Sequence, residues 1–130
     1  MARVFVDTSA VYALLDRGDS RHKDARAGLK RLQKSRAEPI LSNFVVAECH
    51  ALLLVRLGID VARRWLLGNV WPVERVTIED EENARDIIRD YTDKTFSYTD
   101  ATSFALMKRL QVRRALAFDR HFDQFGIDRI

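Results

Sequence analysis

Short apolar runs alternate with longer segments of helical pattern along almost the whole chain. The runs that indicate strands cover residues 3–6, 39–41, 73–78, 115–118 and 127–130. The segments that indicate helices cover residues 10–15, 21–35, 44–57, 61–67, 79–93 and 98–111. This alternation favours a parallel sheet with helices on both faces, because the crossover between two parallel strands usually contains a helix. The sequence therefore predicts an α/β fold.

The length and composition fit one globular domain. The chain has 130 residues, 47% of them apolar and 32% charged, so it can bury a core and does not resemble a disordered chain. We expect a single domain over residues 1–130. No apolar run approaches the roughly 18 residues of a membrane helix, and Asp7 interrupts the region where a signal peptide would be apolar. Together with a single cysteine, Cys49, this favours a reducing cytoplasm.

Four carboxylates are predicted to meet at one edge of the sheet. Asp7 directly follows the first strand and Asp119 directly follows the strand over residues 115–118. Asp100 lies in the first turn of its helix, and Glu48 lies about one turn into another helix. Because the carboxyl ends of parallel strands share one edge, where sites usually form, we expect the four side chains to converge there.

Each of these acids also has a local explanation. Asp7 and Asp119 could cap the helical turns that follow them, and Ser97 and Asp100 have the spacing of a capping box. Glu48 could be a surface residue, although its apolar neighbours suggest little polar surface. Capping does not require three aspartates at strand-to-helix junctions on one edge, so the joint placement favours a site.

The charge of such a cluster indicates its chemistry. Two carboxylates about 5 Å apart repel by roughly 3 kcal/mol at an effective dielectric constant near 20. A divalent cation removes this conflict, and oxygen ligands without Cys or His select Mg²⁺ or Mn²⁺. Such a site suits metal-assisted hydrolysis of a phosphodiester. The net charge of +3 is compatible with a nucleic-acid partner but does not establish one.

Four short motifs occur in order along the whole chain. They are Val-Phe-Val-Asp7-Thr8-Ser9, Ser42-x5-Glu48, Ser97-x-x-Asp100-Ala101 and Ala117-Phe118-Asp119-x-x-Phe122. This set resembles the PIN domain (PilT N-terminus), especially the VapC-type toxins of toxin–antitoxin pairs. The resemblance implies a three-layer α/β/α sandwich with a central parallel sheet. It also implies a Mg²⁺- or Mn²⁺-dependent endoribonuclease that forms a homodimer and is silenced by a cognate antitoxin.

The resemblance also implies roles for the four acids. Asp7 and Asp100 correspond to the principal metal ligands, and Glu48 to a ligand or a supporting acid. Asp119 corresponds to the fourth acid, with Asp123 as the alternative. The hydroxyls that match positions lining such sites are those of Thr8 and Ser97.

Other residues and functions are given weaker predictions. Ordinary surface or partly buried positions are favoured for the three histidines, His22, His50 and His121, although His121 lies two residues after Asp119 and could touch substrate. Cys49 is expected to be a core residue. A phosphoacceptor domain is disfavoured, because no second acid adjoins Asp7 and Arg120 follows Asp119. The main alternative is a catalytically silent RNA- or protein-binding module on the same fold.

Overall fold

The computed structural model describes residues 2–130. The strands within this range are β1 (Arg3–Val6), β2 (Glu38–Ser42), β3 (Val73–Glu74), β4 (Arg114–Leu116) and β5 (Asp128–Arg129). The helices are α1 (Thr8–Leu15), α2 (His22–Ser35), α3 (Asn43–Leu57), α4 (Ile59–Gly68), α5 (Ile78–Asp90), α6 (Tyr98–Leu110) and α7 (His121–Phe125). None of these helices is both long and apolar enough to cross a bilayer.

The strands form one sheet in the order β3-β2-β1-β4-β5, and every neighbouring pair is parallel. The predicted central parallel sheet is confirmed. The predicted strand over residues 73–78 is shorter than expected, because the Val76 N–H donates to Asn43 Oδ1 at 2.8 Å and Thr77 already caps α5. The strand predicted over residues 115–118 ends earlier for a similar reason, since the Phe118 N–H donates to the Ser9 hydroxyl at 2.9 Å.

Helices cover both faces of the sheet, which confirms the α/β/α sandwich. Val6 lies beside Leu116 in the sheet, so the two side chains share one face. On that face α2 packs so closely that a Cβ at Gly28 would lie 2.5 Å from a Leu116 methyl. Phe5 points to the other face, where its ring centroid lies 6.4 Å from that of Phe122 on α7.

The strand order places a crevice beside the central strand. The chain moves outward from β1 to β2 and β3, then returns to the other side of β1 to form β4. In sheets of this kind the crevice lies outside the carboxyl ends of the strands at which the order reverses. Asp7 follows β1 at this point, and its N–H donates to the Leu116 carbonyl of β4 at 3.0 Å.

Cys49 lies in the core beneath this region. It is 1% exposed and belongs to the same apolar cluster as the sheet residues. Burial raises the pKa of its thiol to about 12, so the thiolate needed for nucleophilic attack does not form at neutral pH. The prediction that Cys49 is a core residue is confirmed.

Candidate active site

Asp7 is held at the junction of β1 and α1. It is the N-cap of α1, and its Oδ2 accepts hydrogen bonds from the Ser9 N–H at 3.2 Å and the Ser9 hydroxyl at 2.8 Å. The same hydroxyl accepts from the Phe118 N–H. Ser9 therefore connects the ends of β1 and β4, and the capping explanation for Asp7 holds alongside its position in the crevice.

The environment of Asp7 disfavours its charge. The residue is only 4% exposed, and among residues 2–130 no basic side chain forms a salt bridge with it. Burial raises the pKa of Asp7 to about 6, although the two Ser9 hydrogen bonds lower it, and the nearby Asp100 and Glu48 carboxylates raise it further. A buried acid of this kind gains from a cation, which restores the stability of its charged form.

Asp100 is fixed by the first turn of α6. The Ser97 N–H donates to Asp100 Oδ2 at 3.1 Å and the Asp100 N–H donates to the Ser97 hydroxyl at 3.0 Å, which is a complete capping box. The next seven residues of α6 are buried, so the helix anchors this turn firmly. Asp100 itself is 7% exposed.

His121 lies between two of the acids. Its Nδ1 is 2.9 Å from Asp100 Oδ2 and 3.2 Å from Asp119 Oδ1, so we assign the ring proton to Nδ1, where both carboxylates can accept it. Its Nε2 lies 3.1 Å from the Thr95 hydroxyl. One ligand atom from each of Asp100, Asp119 and His121 lies within 4.8 Å of the others. The favoured prediction of an ordinary role for His121 was incomplete, and its position two residues after Asp119 is the signal that had suggested a role in the site.

Glu48 and Thr8 complete the polar wall. Glu48 is exposed on α3, so the expectation of little polar surface around it was wrong. Thr8 is 6% exposed, and its hydroxyl oxygen has no hydrogen-bond partner among the described residues. Both residues line one cavity of about 450 Å³ together with Asp7, Asp100 and Asp119. The structure thus brings the four predicted acids to a single opening.

Asp123 lies apart from this opening. Its carboxylate is paired with Arg129, at 2.7 Å and 2.8 Å, and it does not line the cavity. Asp119 does line it, and its Oδ1 accepts from the His121 N–H at 2.9 Å. The geometry thus groups Asp119, rather than Asp123, with the other three acids.

Several residues of the cavity wall were not identified from the sequence. They lie on α1, on α3 and in the connecting segments, and no short motif joins them: Ser9, Tyr12, Asp19, Arg21, Leu52, Arg56, Thr95 and Phe118. On α3 a signal did exist, because Leu52 and Arg56 follow Glu48 at intervals of four residues and so share its face.

Comparison with known families supports the same conclusion as the geometry. Residues 4–128 match the model of the PIN domain. The chain belongs to the PIN-domain family. Among PIN-domain relatives, the 23S rRNA-specific endonuclease VapC20 of Mycobacterium tuberculosis is 38% identical over 127 residues, which are 95% of this chain and 94% of the relative. Ribonuclease VapC26 of the same organism is 31% identical over 124 residues, 92% of this chain and 89% of the relative.

Solved PIN-domain structures agree with this assignment. The crystal structure of M. tuberculosis VapC20, described as a sarcin-ricin loop cleaving toxin, has a TM-score of 0.83 and 37% identity, and 95% of each chain is covered. FitAcB from Neisseria gonorrhoeae has a TM-score of 0.65 at 16% identity, with 98% and 96% covered, and shows the shared fold alone. The two VapC relatives confirm the prediction of a VapC-type endoribonuclease and do not favour the silent binding module.

Proposed function

We propose that this protein is a metal-dependent endoribonuclease that uses the cavity at the ends of β1 and β4 and acts as the toxin of a toxin–antitoxin pair. The observation that carries the proposal is the convergence of four carboxylates on one cavity without an arginine or lysine partner among the described residues. Such an arrangement is costly for folding and useful for holding a cation. The acids concerned are Asp7, Glu48, Asp100 and Asp119.

The residues present fit a hard divalent cation. The donors are carboxylate oxygens and the unpartnered hydroxyl of Thr8, and oxygen sets of this kind favour Mg²⁺ or Mn²⁺. We assign Asp7 and Asp100 as the principal ligands, because both are buried and fixed by backbone hydrogen bonds. Glu48 and Asp119 would complete the ligand shell directly or through water.

Hydrogen bonds within the protein orient the carboxylates that would hold the cation. When bound, the cation would make a water molecule more acidic and stabilise charge on the phosphate. The hydrogen bonds from Ser9 and Ser97 leave one oxygen of Asp7 and one of Asp100 outside the helix caps. His121 holds Asp100 and Asp119 at a fixed separation, so the carboxylates are organised before RNA arrives.

The relatives suggest a substrate and partners. Because the identity to VapC20 extends over nearly the whole chain, we propose that this protein also cleaves the sarcin–ricin loop of 23S rRNA. We further propose that it acts as a single domain in the cytoplasm, forms a homodimer and binds a cognate antitoxin protein. Light scattering of the purified chain tests the dimer, and co-purification with the product of the adjacent gene tests the antitoxin.

One experiment tests the proposed activity and its metal dependence. Purified protein is incubated with a sarcin–ricin hairpin RNA in Mn²⁺, in Mg²⁺ or in EDTA, beside the matched variant Asp7→Asn. We expect cleavage by the parent protein in either metal and none in EDTA or with the variant. Equal cleavage in EDTA, or an Asp7→Asn enzyme as active as the parent, would show that the acid cluster does not carry the reaction.

A calorimetric titration with Mn²⁺ separates metal binding from RNA binding. The parent protein should release or absorb heat with a saturable profile, whereas Asp7→Asn should show a much weaker response, because the most buried ligand has lost its charge. An unchanged titration profile in Asp7→Asn would show that Asp7 does not bind the cation.

A further inference from the structure

The cavity that holds the acids also holds two arginines whose role has not been explained. Arg21 lies at the start of α2 and Arg56 near the end of α3, and both are exposed and line the cavity. Neither forms a salt bridge among residues 2–130. Other arginines of the chain have such partners, as Arg109 has Asp80 and Arg129 has Asp123.

Each of the two arginines is positioned by an aromatic ring. The Arg21 guanidinium lies 5.6 Å from the centroid of the Phe118 ring, directly beside Asp119 in the chain. The Arg56 guanidinium lies 5.2 Å from the centroid of the Tyr12 ring. A cation over an aromatic face is attracted to it and keeps its hydrogen-bond donors free at the edge of the guanidinium. The rings thus hold both cations at the cavity, and among the described residues no carboxylate lies within salt-bridge distance of either guanidinium.

The Tyr12 ring that contacts Arg56 is itself held in place by a hydrogen bond. The Tyr12 hydroxyl donates to Asp16, so the ring is fixed from its far end. Arg56 also follows Glu48 by two turns on the same face of α3, which places a cation on the Glu48 side of the cavity. Arg21 lies on the Asp119 side. The cavity therefore has one guanidinium on the Glu48 side and one on the Asp119 side.

The charge of the cavity explains why such cations are needed. Five carboxylates line it, and the fifth, Asp19, accepts a hydrogen bond from the Arg21 N–H at 2.9 Å and so shapes the turn before α2. RNA carries one negative charge per nucleotide and is repelled by this wall. A bound divalent cation offsets the repulsion only at the phosphate that it contacts, whereas the neighbouring phosphates need separate partners.

We propose that Arg21 and Arg56 bind the RNA phosphates on either side of the one that is cleaved. The inference rests on the proposed ribonuclease function and adds to it two positioning residues outside the acid cluster. A guanidinium can donate two parallel hydrogen bonds to one phosphate, which fixes the direction of the strand as well as its distance. The strand would then cross the cavity from the Phe118 side to the Tyr12 side.

Binding of RNA is measured directly so that it does not depend on cleavage. The probe is a fluorescein-labelled sarcin–ricin hairpin RNA, and anisotropy is recorded in the Asp100→Asn background, with and without Arg21→Gln or Arg56→Gln. We expect about tenfold weaker binding for each variant and about hundredfold for both, since each loses charge-assisted hydrogen bonds. The dependence of log Kd on log salt should fall by about 0.7 to 0.9 per arginine.

Matched controls separate phosphate binding from structural support. Arg63→Gln removes the same charge from an exposed position on α4 outside the cavity and should bind RNA within twofold of the parent. Arg21→Lys and Arg56→Lys keep the charge over the ring but lose the paired donors, so we expect intermediate affinity. If circular dichroism shows that a glutamine variant is unfolded, binding is measured on the lysine variant of the same arginine instead.

Steady-state cleavage supplies the second readout. In the otherwise intact protein, Arg21→Gln and Arg56→Gln should raise KM about tenfold and change kcat much less, because the acids remain in place. If all arginine variants bind RNA like Arg63→Gln while the parent cleaves RNA, this inference is wrong and the proposed function stands. If the parent fails to cleave RNA but the arginine variants lose binding, the two arginines bind RNA phosphates and the proposed ribonuclease function is wrong. A parent that neither binds nor cleaves RNA overturns both.

Discussion

Two helices of this protein begin with the same local structure but differ in what their aspartate contacts. In α5 the Thr77 N–H donates to Asp80 Oδ2 at 3.0 Å and the Asp80 N–H donates to the Thr77 hydroxyl at 3.1 Å. In α6 Ser97 and Asp100 make the corresponding hydrogen bonds at 3.1 Å and 3.0 Å. Both aspartates are buried. The capping box therefore does not distinguish a structural acid from a candidate ligand.

The two aspartates differ in the residue that each contacts outside its capping box. Asp80 accepts two hydrogen bonds of 2.9 Å from the Arg109 guanidinium. Burial raises the pKa of Asp80, but the hydrogen bonds and charge of Arg109, together with the cap, outweigh burial and hold that pKa below its usual range. Asp100 faces His121 and the cavity instead. The same sequence motif thus gives a satisfied ion pair in one helix and a carboxylate available to a cation in the other.

The strongest contrast should appear in catalysis. We expect Asp100→Asn to reduce RNA cleavage by at least about 10²–10³-fold, because it removes a charge that acts at the reacting phosphate. Asp80→Asn, measured per folded molecule, should retain cleavage within about threefold. Initial rates on the hairpin RNA check both. Comparable losses in the two variants would show that the capping box itself, rather than the cavity, governs activity.

The next largest contrast should appear in stability. Asp80→Asn leaves the Arg109 guanidinium, 32% exposed, without its charged partner, and we expect a loss of about 2–4 kcal/mol of unfolding free energy. Adding Arg109→Met should recover part of this, since the unpaired charge is then gone. Urea unfolding measures both, with Asp100→Asn as the matched variant of an identical cap. A larger loss for Asp100→Asn would reverse the comparison.

Asp7 extends the comparison to a buried acid with no cation partner. Burial raises its pKa from 3.8 to about 6, so the folded protein holds this proton more tightly than the unfolded chain. Its contribution to stability is fully present below about pH 4 and is lost as the pH rises through 6. Asp7→Asn should therefore stabilise the protein in EDTA by about 1–3 kcal/mol at pH 8 and by almost nothing at pH 4. Urea unfolding at the two pH values tests this, and an equal effect at both would exclude titration of Asp7 as its origin.

The order of strands and helices could be predicted from the sequence because its causes are local. Strand β1 is apolar from Val4 to Val6, and α6 begins with a capping box. The predicted strand ends were wrong where the side chain of a residue distant in sequence accepts a hydrogen bond from a backbone N–H. Asn43 does this to Val76, 33 residues away, and Ser9 does it to Phe118, 109 residues away.

The site could be predicted only as far as topology determines it. Asp7 and Asp119 follow neighbouring parallel strands, so their convergence was accessible from chain order. Contact of His121 with two of the acids was not predicted, because it depends on the direction of one ring at the start of a five-residue helix. No sequence pattern shows that Arg109 lies against Asp80, 29 residues earlier in the chain.

The smallest effect is expected for Asp123 on α7, which lies four residues after Asp119. Asp123 is paired with Arg129, as Asp80 is with Arg109, whereas Asp119 lines the cavity. We expect Asp123→Asn to change stability by no more than about 0.5 kcal/mol, because the ion pair is exposed, and to leave cleavage unchanged. Asp119→Asn should slow cleavage about tenfold or more, since His121 then holds a neutral amide in place of a carboxylate. Initial rates and urea unfolding of the two variants decide the question, and slower cleavage by Asp123→Asn alone would transfer the role of fourth acid to Asp123.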